Sequence, residues 1–274
     1  MHDRAGTVLK SQQHGELMKV VVAGGTGLIR RQAVGMLRSS GRDAVSAAPL
    51  TGVGTLTEQG MKQVLKGADV VVDAFNSPSF QAKTSLDFFT RSAQNLIAAA
   101  QRAGVRRYVM LSVIGADQLP ENGYFRAKSA QEGVLRDSEL PYTIVRAARF
   151  FEFIAPVMGL STREGRVHLP STQLRPVAAA DVAAAVATSV EEEPLYGVRQ
   201  IAGPETHRLN RLGELTPAVQ PDGRRVVTDE NAGLFAGIPD GVLTGGTTVS
   251  TALTCYEDRL KQNSRKSMIR AGAL

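Results

Sequence analysis

The segment 18–31, MKVVVAGGTGLIRR, constrains the fold of this chain more than any other. Its first half, Val20 to Ala23, is apolar on both faces, which indicates a buried parallel strand. The run Gly24 to Gly27 follows, and apolar residues at helical spacing begin directly after it. A strand, a glycine turn and a helix in this order point free N–H groups at an anion, so the segment predicts a dinucleotide site.

The glycine spacing is G-x-x-G-x-x-R, formed by Gly24, Gly27 and Arg30. Gly24 permits the tight turn, and Gly27 lets the backbone approach a pyrophosphate. Arg30, with its long cationic side chain, occupies the third position, where a glycine would allow the helix to pack closely on the strand. Arg30 therefore either grips a phosphate or crowds the site, and the sequence leaves both outcomes open.

Alternating apolar strands and amphipathic helices predict an α/β fold, a Rossmann-type doubly wound parallel sheet with a small C-terminal substrate lobe. Helices are predicted at 28–39, about 56–66, 84–102, 123–137 and 182–190, the last started by Asp181, and strands at 44–47, 69–75, 108–112, 141–146, 166–170 and 198–204. Only one helix fits between the second strand and residue 68. The third strand of a full Rossmann half is therefore shortened or missing.

The chain length of 274 residues suits one large unit with an appended lobe. We expect a flexible extension over 1–17 and a dinucleotide-binding core over 18–150. The substrate lobe would cover 151–274, interleaved with the last core elements at about 175–204.

Composition narrows the class of protein. No apolar run approaches the roughly 20 residues that span a bilayer, so we expect no membrane partner. We also expect a cytoplasmic protein, because the single cysteine, Cys255, cannot form an internal disulfide, which agrees with a reducing compartment. The net charge of +6 suits either an anionic partner such as a phosphorylated cofactor or simply solubility. The 5% of aromatic residues and the lack of a visible nucleic-acid module argue against nucleic acid. The four histidines lack ligand spacing, so no metal is expected. We expect a small-molecule substrate and a monomer or homodimer.

Three polar residues follow strands in the order that a reductase needs. Ser112 closes the strand YVMLS, and Tyr124 and Lys128 form Y-x-x-x-K on a predicted helix. Residues four apart share a helix face, so the Lys128 ammonium can stabilise the phenolate form of Tyr124. Tyr124 would then exchange a proton with a substrate oxygen that Ser112 holds by a hydrogen bond. The alternative is a packed tyrosine beside an exposed lysine.

These motifs together resemble the extended and atypical short-chain dehydrogenase/reductases, specifically their NmrA-like, NAD(P)H-binding branch. The resemblance covers the chain from Met18 to about Leu260. It is carried by VVVAGGTGLI, DVVVDAFNSPSF, AGVRRYVMLSVIGAD, GYFRAK, LPYTIVRAARFFEF, RPVAAADVAAAV and IAGPE.

The resemblance implies a place for further residues. Gly24, Thr26, Gly27, Leu28 and Ile29 would border the cofactor pyrophosphate. Asn76 and Ser77 would approach the adenosine-side ribose or the pyrophosphate, and Lys128 would also contact the nicotinamide ribose. Phe150, Phe151 and Phe153 would border the substrate pocket, although such a run is more often core.

The end of the second predicted strand indicates which cofactor binds. An NAD site normally carries an acidic residue there to hold the ribose 2′-OH, and this chain has Ala47, Ala48 and Pro49. Arg31, or Arg30 beside it, would instead meet a 2′-phosphate with paired hydrogen bonds. We therefore expect NADP(H) to be preferred, with NAD(H) as the second choice.

The sequence leaves three functions open. The first is an NAD(P)H-dependent oxidoreductase that reduces a small carbonyl or enone compound. The second is a redox sensor that binds the dinucleotide without turnover. The third is a sugar-nucleotide epimerase or dehydratase, against which the shortened stretch 45–68 and the small C-terminal region argue.

Overall fold

A computed structural model of the chain describes residues 17–24, 27–79, 81–216 and 223–262. Its centre is a seven-stranded sheet in which every neighbouring pair of strands is parallel, and the strands lie in the order 250–251, 197–202, 142–147, 107–113, 70–73, 19–23 and 43–47. The doubly wound α/β architecture expected from the sequence is confirmed.

The elements have the following bounds. The main-sheet strands are β1 Lys19–Ala23, β2 Asp43–Ala47, β3 Val70–Asp73, β4 Arg107–Val113, β5 Tyr142–Ala147, β9 Gly197–Ala202 and β12 Ser250–Thr251. The helices are α1 Leu28–Ser39, α2 Met61–Leu65, α3 Ala82–Arg102, α4 Gly123–Arg136, α5 Ile154–Leu160, α6 Ala179–Glu191 and α7 Leu209–Leu215. The short remaining strands are β6 Thr162–Arg163, β7 Arg166–Leu169, β8 Gln173–Leu174, β10 His207–Arg208 and β11 Val226–Thr228.

Helices cover both faces of the sheet because its central strands are apolar on both sides. The side chains of Val20 and Val22 pack with α1 and α6, and Val21 packs with α2, α3 and α4 in a second core. One strand thus feeds two hydrophobic layers, as a buried parallel strand requires.

The chain leaves β1 toward the sheet edge at β2 and then crosses to β3 on the other side. The order reverses at this point, so a crevice opens beyond the carboxyl ends of β1 and β3, where open α/β sheets bind their ligands. β2 is the edge strand on this side, which confirms that the third strand of a full Rossmann half is missing.

Two predicted helix boundaries differ from the structure. The helix expected at 56–66 is only α2, because the residues before it form turns and Gly60 enters the helix at φ 70°. The helix expected to start at Asp181 already begins at Ala179, with Ala178 as its N-cap. Asp181 instead lies in the first turn, where a carboxylate complements the positive end of the helix.

The elements after β5 build a third hydrophobic cluster against α3 and α4. Phe89 and Phe125 from those helices pack there with Val157 of α5, Leu212 of α7 and Phe235. The predicted division into a core and a lobe stays a prediction. Among the described residues, no helix combines the length and apolar character that crossing a membrane requires.

Candidate active site

Gly24 follows the carboxyl end of β1, and Gly27 precedes α1. A Cβ on Gly24 would lie 2.8 Å from the Ala74 carbonyl oxygen, so only glycine fits there without a shift. Gly27 adopts φ 79° as the residue before α1, a conformation that favours glycine. Gly25 and Thr26, the latter a predicted cofactor contact, lie outside the described residues.

Two cations gather at the start of α1. The Arg30 side chain is buried, and its Nη1 donates to Ser46 Oγ on β2 over 2.7 Å. Arg31 is exposed, but its Nη1 lies 2.8 Å from the position of a Cβ on Gly27, and Arg30 Nη2 lies 3.0 Å from it. Both guanidinium groups therefore adjoin the open N–H end of the helix, which already carries positive potential.

A cavity of about 250 Å³ runs from this helix start across the carboxyl edge of the sheet. Its lining includes the predicted site residues Gly27, Leu28, Ile29, Arg30, Asn76, Ser112, Tyr124, Lys128, Phe150 and Phe153. Residues spread over more than 120 positions of the sequence, among them Gly27, Tyr124 and Lys128, thus line one cleft.

Tyr124 and Asn76 meet in this cleft. Helix α4 begins at Gly123, capped by Asn122, whose side chain accepts the Tyr124 N–H. The Tyr124 hydroxyl donates to Asn76 Oδ1 over 3.5 Å. Ser77 lies behind Asn76, where its Oγ accepts the Ser79 N–H at 3.2 Å, and it does not line the cavity. The structure thus places Asn76 beside the tyrosine.

Lys128 is 3% exposed and is held by defined acceptors. Its Nζ donates to the Leu111 carbonyl at 2.9 Å and to Gln131 Oε1. The nitrogen also lies 4.6 Å from the centre of the Phe89 ring. Burial lowers the pKa of Lys128, an effect that the nearby Tyr124 and Asp73 partly offset.

Asp73 is a member of the site that the sequence analysis missed. It ends β3 fully buried, and its Oδ2 accepts from Gln131 Nε2 at 2.9 Å and from the Tyr108 hydroxyl at 3.0 Å. Burial raises the pKa of Asp73, and the charge of Lys128 opposes that shift. Asp73, Gln131 and Lys128 form one hydrogen-bonded chain. The sequence does indicate such a residue: a carboxylate within an apolar strand is buried, and a buried carboxylate requires hydrogen-bond or charge partners.

Ser112 lies at the end of β4 beside a buried ion pair. Its Oγ has no hydrogen bond of ordinary geometry among the described residues, yet it is close enough to Glu132 to help lower the pKa of that carboxyl. Arg146 Nε and Nη2 donate to the two Glu132 oxygens at 2.9 and 2.6 Å. Burial raises the pKa of Glu132, but the hydrogen bonds from Arg146 reverse this, and the net shift is downward.

The aromatic run after β5 divides between the cavity and the core. Phe150 and Phe153 line the cavity, as expected for the substrate pocket. Phe151 is buried elsewhere and packs edge-on against Tyr256 with ring centres 5.0 Å apart. Phe151 therefore does not border the cavity as the sequence predicts, because consecutive side chains on this turn face different directions. Arg149, which the sequence analysis did not single out, also lines the cavity.

The sheet order and the cleft at its switch point define an α/β protein of the dinucleotide-binding class. A family model described as NAD(P)H-binding matches residues 24–193, more than half of the chain. The chain therefore belongs to the NAD(P)H-binding family, and the expected binding of an NAD(P) cofactor is confirmed at that level.

Two curated relatives are similar to part of the chain. The photosystem II assembly factor Ycf39 of Synechocystis sp. is 27% identical over 49% of this chain and 46% of its own length. The chloroplastic divinyl chlorophyllide a 8-vinyl-reductase of Arabidopsis thaliana is 28% identical over 54% of this chain and 38% of its own length. The chain thus spans less than half the length of these relatives.

Solved structures share the fold. The Escherichia coli NADPH-dependent quinone oxidoreductase QOR2, complexed with NADPH, has a TM-score of 0.64 and 18% identity, over 88% of this chain and 99% of that one. A short-chain dehydrogenase/reductase superfamily protein from Agrobacterium tumefaciens with bound NAD has a TM-score of 0.63 and 15% identity, over 93% and 100% of the two chains. The resemblance to this superfamily is confirmed for the fold, and the NmrA-like branch stays a prediction.

Proposed function

We propose that this protein is an NAD(P)H-dependent oxidoreductase that reduces a small carbonyl or enone compound. The observation that carries the proposal is the meeting of Ser112, Tyr124 and Lys128 in one cavity that begins at the glycine turn. A protein that only binds a dinucleotide has no need of a buried lysine and a tyrosine hydroxyl inside the same cleft. The reductase named among the partial relatives acts, by its name, on a vinyl group, which agrees with an enone as one option.

The residues present fit a dinucleotide. A side chain at Gly24 would clash with the Ala74 backbone, and one at Gly27 would be strained at φ 79°. Leu28, the first residue of α1, lines the cavity. Two arginines in the first turn of a helix repel its positive end, and a bound phosphate would relieve that repulsion. These groups would hold the pyrophosphate.

We infer a preference for NADP(H) from the same region. Arg30, rather than Arg31, reaches the end of β2, where the adenosine ribose of a dinucleotide is expected. Its Nε has no hydrogen-bond partner among the described residues, so the guanidinium retains a donor for a 2′-phosphate. Ser46 in this place is neutral and does not repel that phosphate.

When bound, NAD(P)H supplies the hydride that reduces the substrate carbon. Tyr124 would donate its hydroxyl proton to the substrate oxygen, because this residue of α4 lines the cavity and carries a phenol. Ser112 Oγ would hold the same oxygen by a hydrogen bond. Lys128 would stabilise the resulting phenolate electrostatically, and its bonds to Leu111 and Gln131 fix the ammonium in place.

The direct test is a stopped-flow measurement of NADPH absorbance with purified protein and a panel of carbonyl and enone compounds. We expect enzyme-dependent oxidation of NADPH with at least one compound, and saturation with substrate concentration. Tight binding of NADPH without oxidation by any member of a broad panel would contradict the proposed activity.

The second candidate is a dinucleotide-binding regulator without turnover. Two observations favour it: a partial relative is an assembly factor, and the Tyr124 hydroxyl already has an acceptor in Asn76. A regulator predicts that oxidised and reduced cofactor change its binding to another protein. It also predicts that replacing the Tyr124 hydroxyl leaves that response intact.

A further inference from the structure

Arg149 lines the cavity and carries an unused hydrogen-bonding edge. Its Nε and Nη2 are both buried without a hydrogen-bond partner in the part of the chain that the structure describes. These two nitrogens form one side of the guanidinium, and their N–H groups run parallel at the spacing of the two oxygens of a carboxylate. Charged donors buried without an acceptor are costly, so this edge requires an explanation.

We propose that Arg149 binds a carboxylate group of the substrate, which makes the reduced compound a carbonyl or enone acid. This inference rests on the proposed reductase function and names the class of its substrate. It concerns a residue two positions beyond β5 that lines the cavity.

Aromatic rings fix the direction of the guanidinium. Its Cζ lies 4.7 Å from the centre of the Tyr124 ring, 5.3 Å from Phe125 and Phe235, and 5.7 Å from Phe153. These rings stabilise the cation but give its Nε and Nη2 no hydrogen-bond acceptor of ordinary geometry. Because Tyr124 is one of these rings, an acid held at this edge lies beside the proposed proton donor.

The same chain uses this edge for carboxylates elsewhere. Arg42 donates through Nε and Nη2 to the two oxygens of Glu191 at 2.8 and 2.6 Å. Arg146 does the same to Glu132. Arg149 has the corresponding pair of donors without an acceptor, and it lines the cavity, so a ligand carboxylate would take the place of the glutamate.

The charges around the cavity favour an anion. Arg30 and Lys128 line it with Arg149, and Lys128 is close enough for the two cations to repel each other. Glu152 is the opposing charge, but it faces α6: its Oε2 accepts the Ala179 N–H at 3.2 Å, and its Oε1 lies 3.6 Å from Arg259 Nη2. A carboxylate bound at Arg149 would lessen the repulsion from Lys128. The flat shape of a carboxylate also suits a site between aromatic rings.

A binding measurement tests the site without turnover. The protein saturated with NADP⁺ is heated with benzoate, with its neutral analogue benzamide, or with inorganic phosphate. We expect benzoate to raise the melting temperature and benzamide to leave it unchanged. Arg149→Gln should remove the benzoate effect, Arg149→Lys should retain part of it, and Arg126→Gln, at an exposed arginine of α4, should retain all of it. Unchanged NADP⁺ affinity shows that each variant is folded.

A turnover measurement separates this inference from the proposed function. The substrates are benzoylformate and 3-benzoylacrylate, each compared with its methyl ester, and NADPH oxidation is followed. We expect Arg149→Gln to lower the ratio of kcat/KM for the acid to that for the ester by about 10- to 100-fold, the loss expected for hydrogen bonds to a charged group.

The outcomes are distinct. If benzoate binding depends on Arg149 but no compound oxidises NADPH, the carboxylate site is supported and the proposed reductase function is wrong. If Arg149→Gln changes kcat/KM equally for the acids and for their esters, the reductase function is supported and the carboxylate site is wrong. Stabilisation by phosphate but not by benzoate would overturn the carboxylate assignment.

Discussion

The Arg30 guanidinium donates to the Ser46 hydroxyl over 2.7 Å and thereby joins the first turn of α1 to the edge strand β2. This contact lies where the second ribose of a dinucleotide is expected, and it involves the arginine that the sequence analysis ranked second.

The first prediction is that Arg30 selects the cofactor. Arg30→Ala should raise the Kd of NADPH by about 10- to 100-fold, because hydrogen bonds to a charged phosphate are lost, and should change the Kd of NADH less than about threefold. Ser46→Asp should shift preference toward NADH by repelling the phosphate and accepting from the ribose hydroxyl. Fluorescence titration with both cofactors measures this. Arg38→Ala, on the last turn of the same helix, is the control, and equal losses for NADPH and NADH in Arg30→Ala would contradict the assignment.

The second prediction is that Gly27 is required for cofactor binding. Valine there would be strained at φ 79° and would push its side chain between the two arginines at the helix start. Gly27→Val should abolish NADPH binding in a fluorescence titration. Gly41→Val is the matched control, because Gly41 has nearly the same φ of 77° but follows the other end of α1. Both variants should lose about 1–2 kcal/mol of stability from the left-handed backbone, and only the first should lose the cofactor.

The third prediction is that Tyr124 and Lys128 contribute differently. Tyr124→Phe should keep the NADPH affinity and lower kcat by about 10²-fold or more, the loss expected for a general acid. Lys128→Met should weaken both, because Lys128 is expected to contact the cofactor ribose as well. Tyr142→Phe, on β5, should leave both constants unchanged. If Tyr124→Phe turns over a genuine substrate at the wild-type rate, Tyr124 is not the proton donor and another group must serve.

The fourth prediction concerns stability at low pH. The pKa values of Glu132 and Asp117 are below their ordinary 4.5 and 3.8 in the folded protein, mainly because hydrogen bonds from Arg146 outweigh the effect of burial. A lowered folded pKa contributes stability that is present above the ordinary value and is lost as pH falls through the folded value. Removing the fully buried Glu132 charge should cost up to about 3–5 kcal/mol, because Arg146 then keeps only the half-exposed Asp117 as an ionic partner.

Urea unfolding of wild type and Glu132→Gln from pH 7 to pH 3 measures this effect. The two stabilities should converge as the pH falls below about 4.5, where the wild-type carboxyl begins to lose its advantage. Glu193→Gln, at an exposed salt bridge with Arg107, should change stability by less than about 1 kcal/mol. A constant difference between wild type and Glu132→Gln across this range would contradict the linkage.

The sequence predicts the sheet well because its central strands are uninterrupted apolar runs that must be covered on both faces. It fails at α2, where Gly60 and the preceding turns shorten a helix that apolar spacing alone extends to residue 56. Helical spacing reports which residues suit a helix, and it does not report where the backbone leaves it.

The site is predictable in part for the same reason. Tyr124, Lys128 and Ser112 have recognisable spacing and strand order, and the structure brings all three to one cavity. Arg149 and Gln131 have no such spacing, since their roles depend on which chain segments pack around them. Side-chain direction also escaped the sequence: Arg30 is buried and contacts Ser46, whereas Arg31 is exposed.

Helix α4 is fixed to three strands at once: Gln131 joins it to Asp73 of β3, Lys128 to Leu111 of β4, and Glu132 to Arg146 of β5. An α-helix turns about 100° per residue. A single inserted or deleted residue between Lys128 and Gln131 would therefore rotate either Lys128 or the pair Gln131 and Glu132 away from the sheet. Natural length variation in this protein should fall in the loops on either side of α4, and α4 itself should tolerate exchanges of side chain but no change of register.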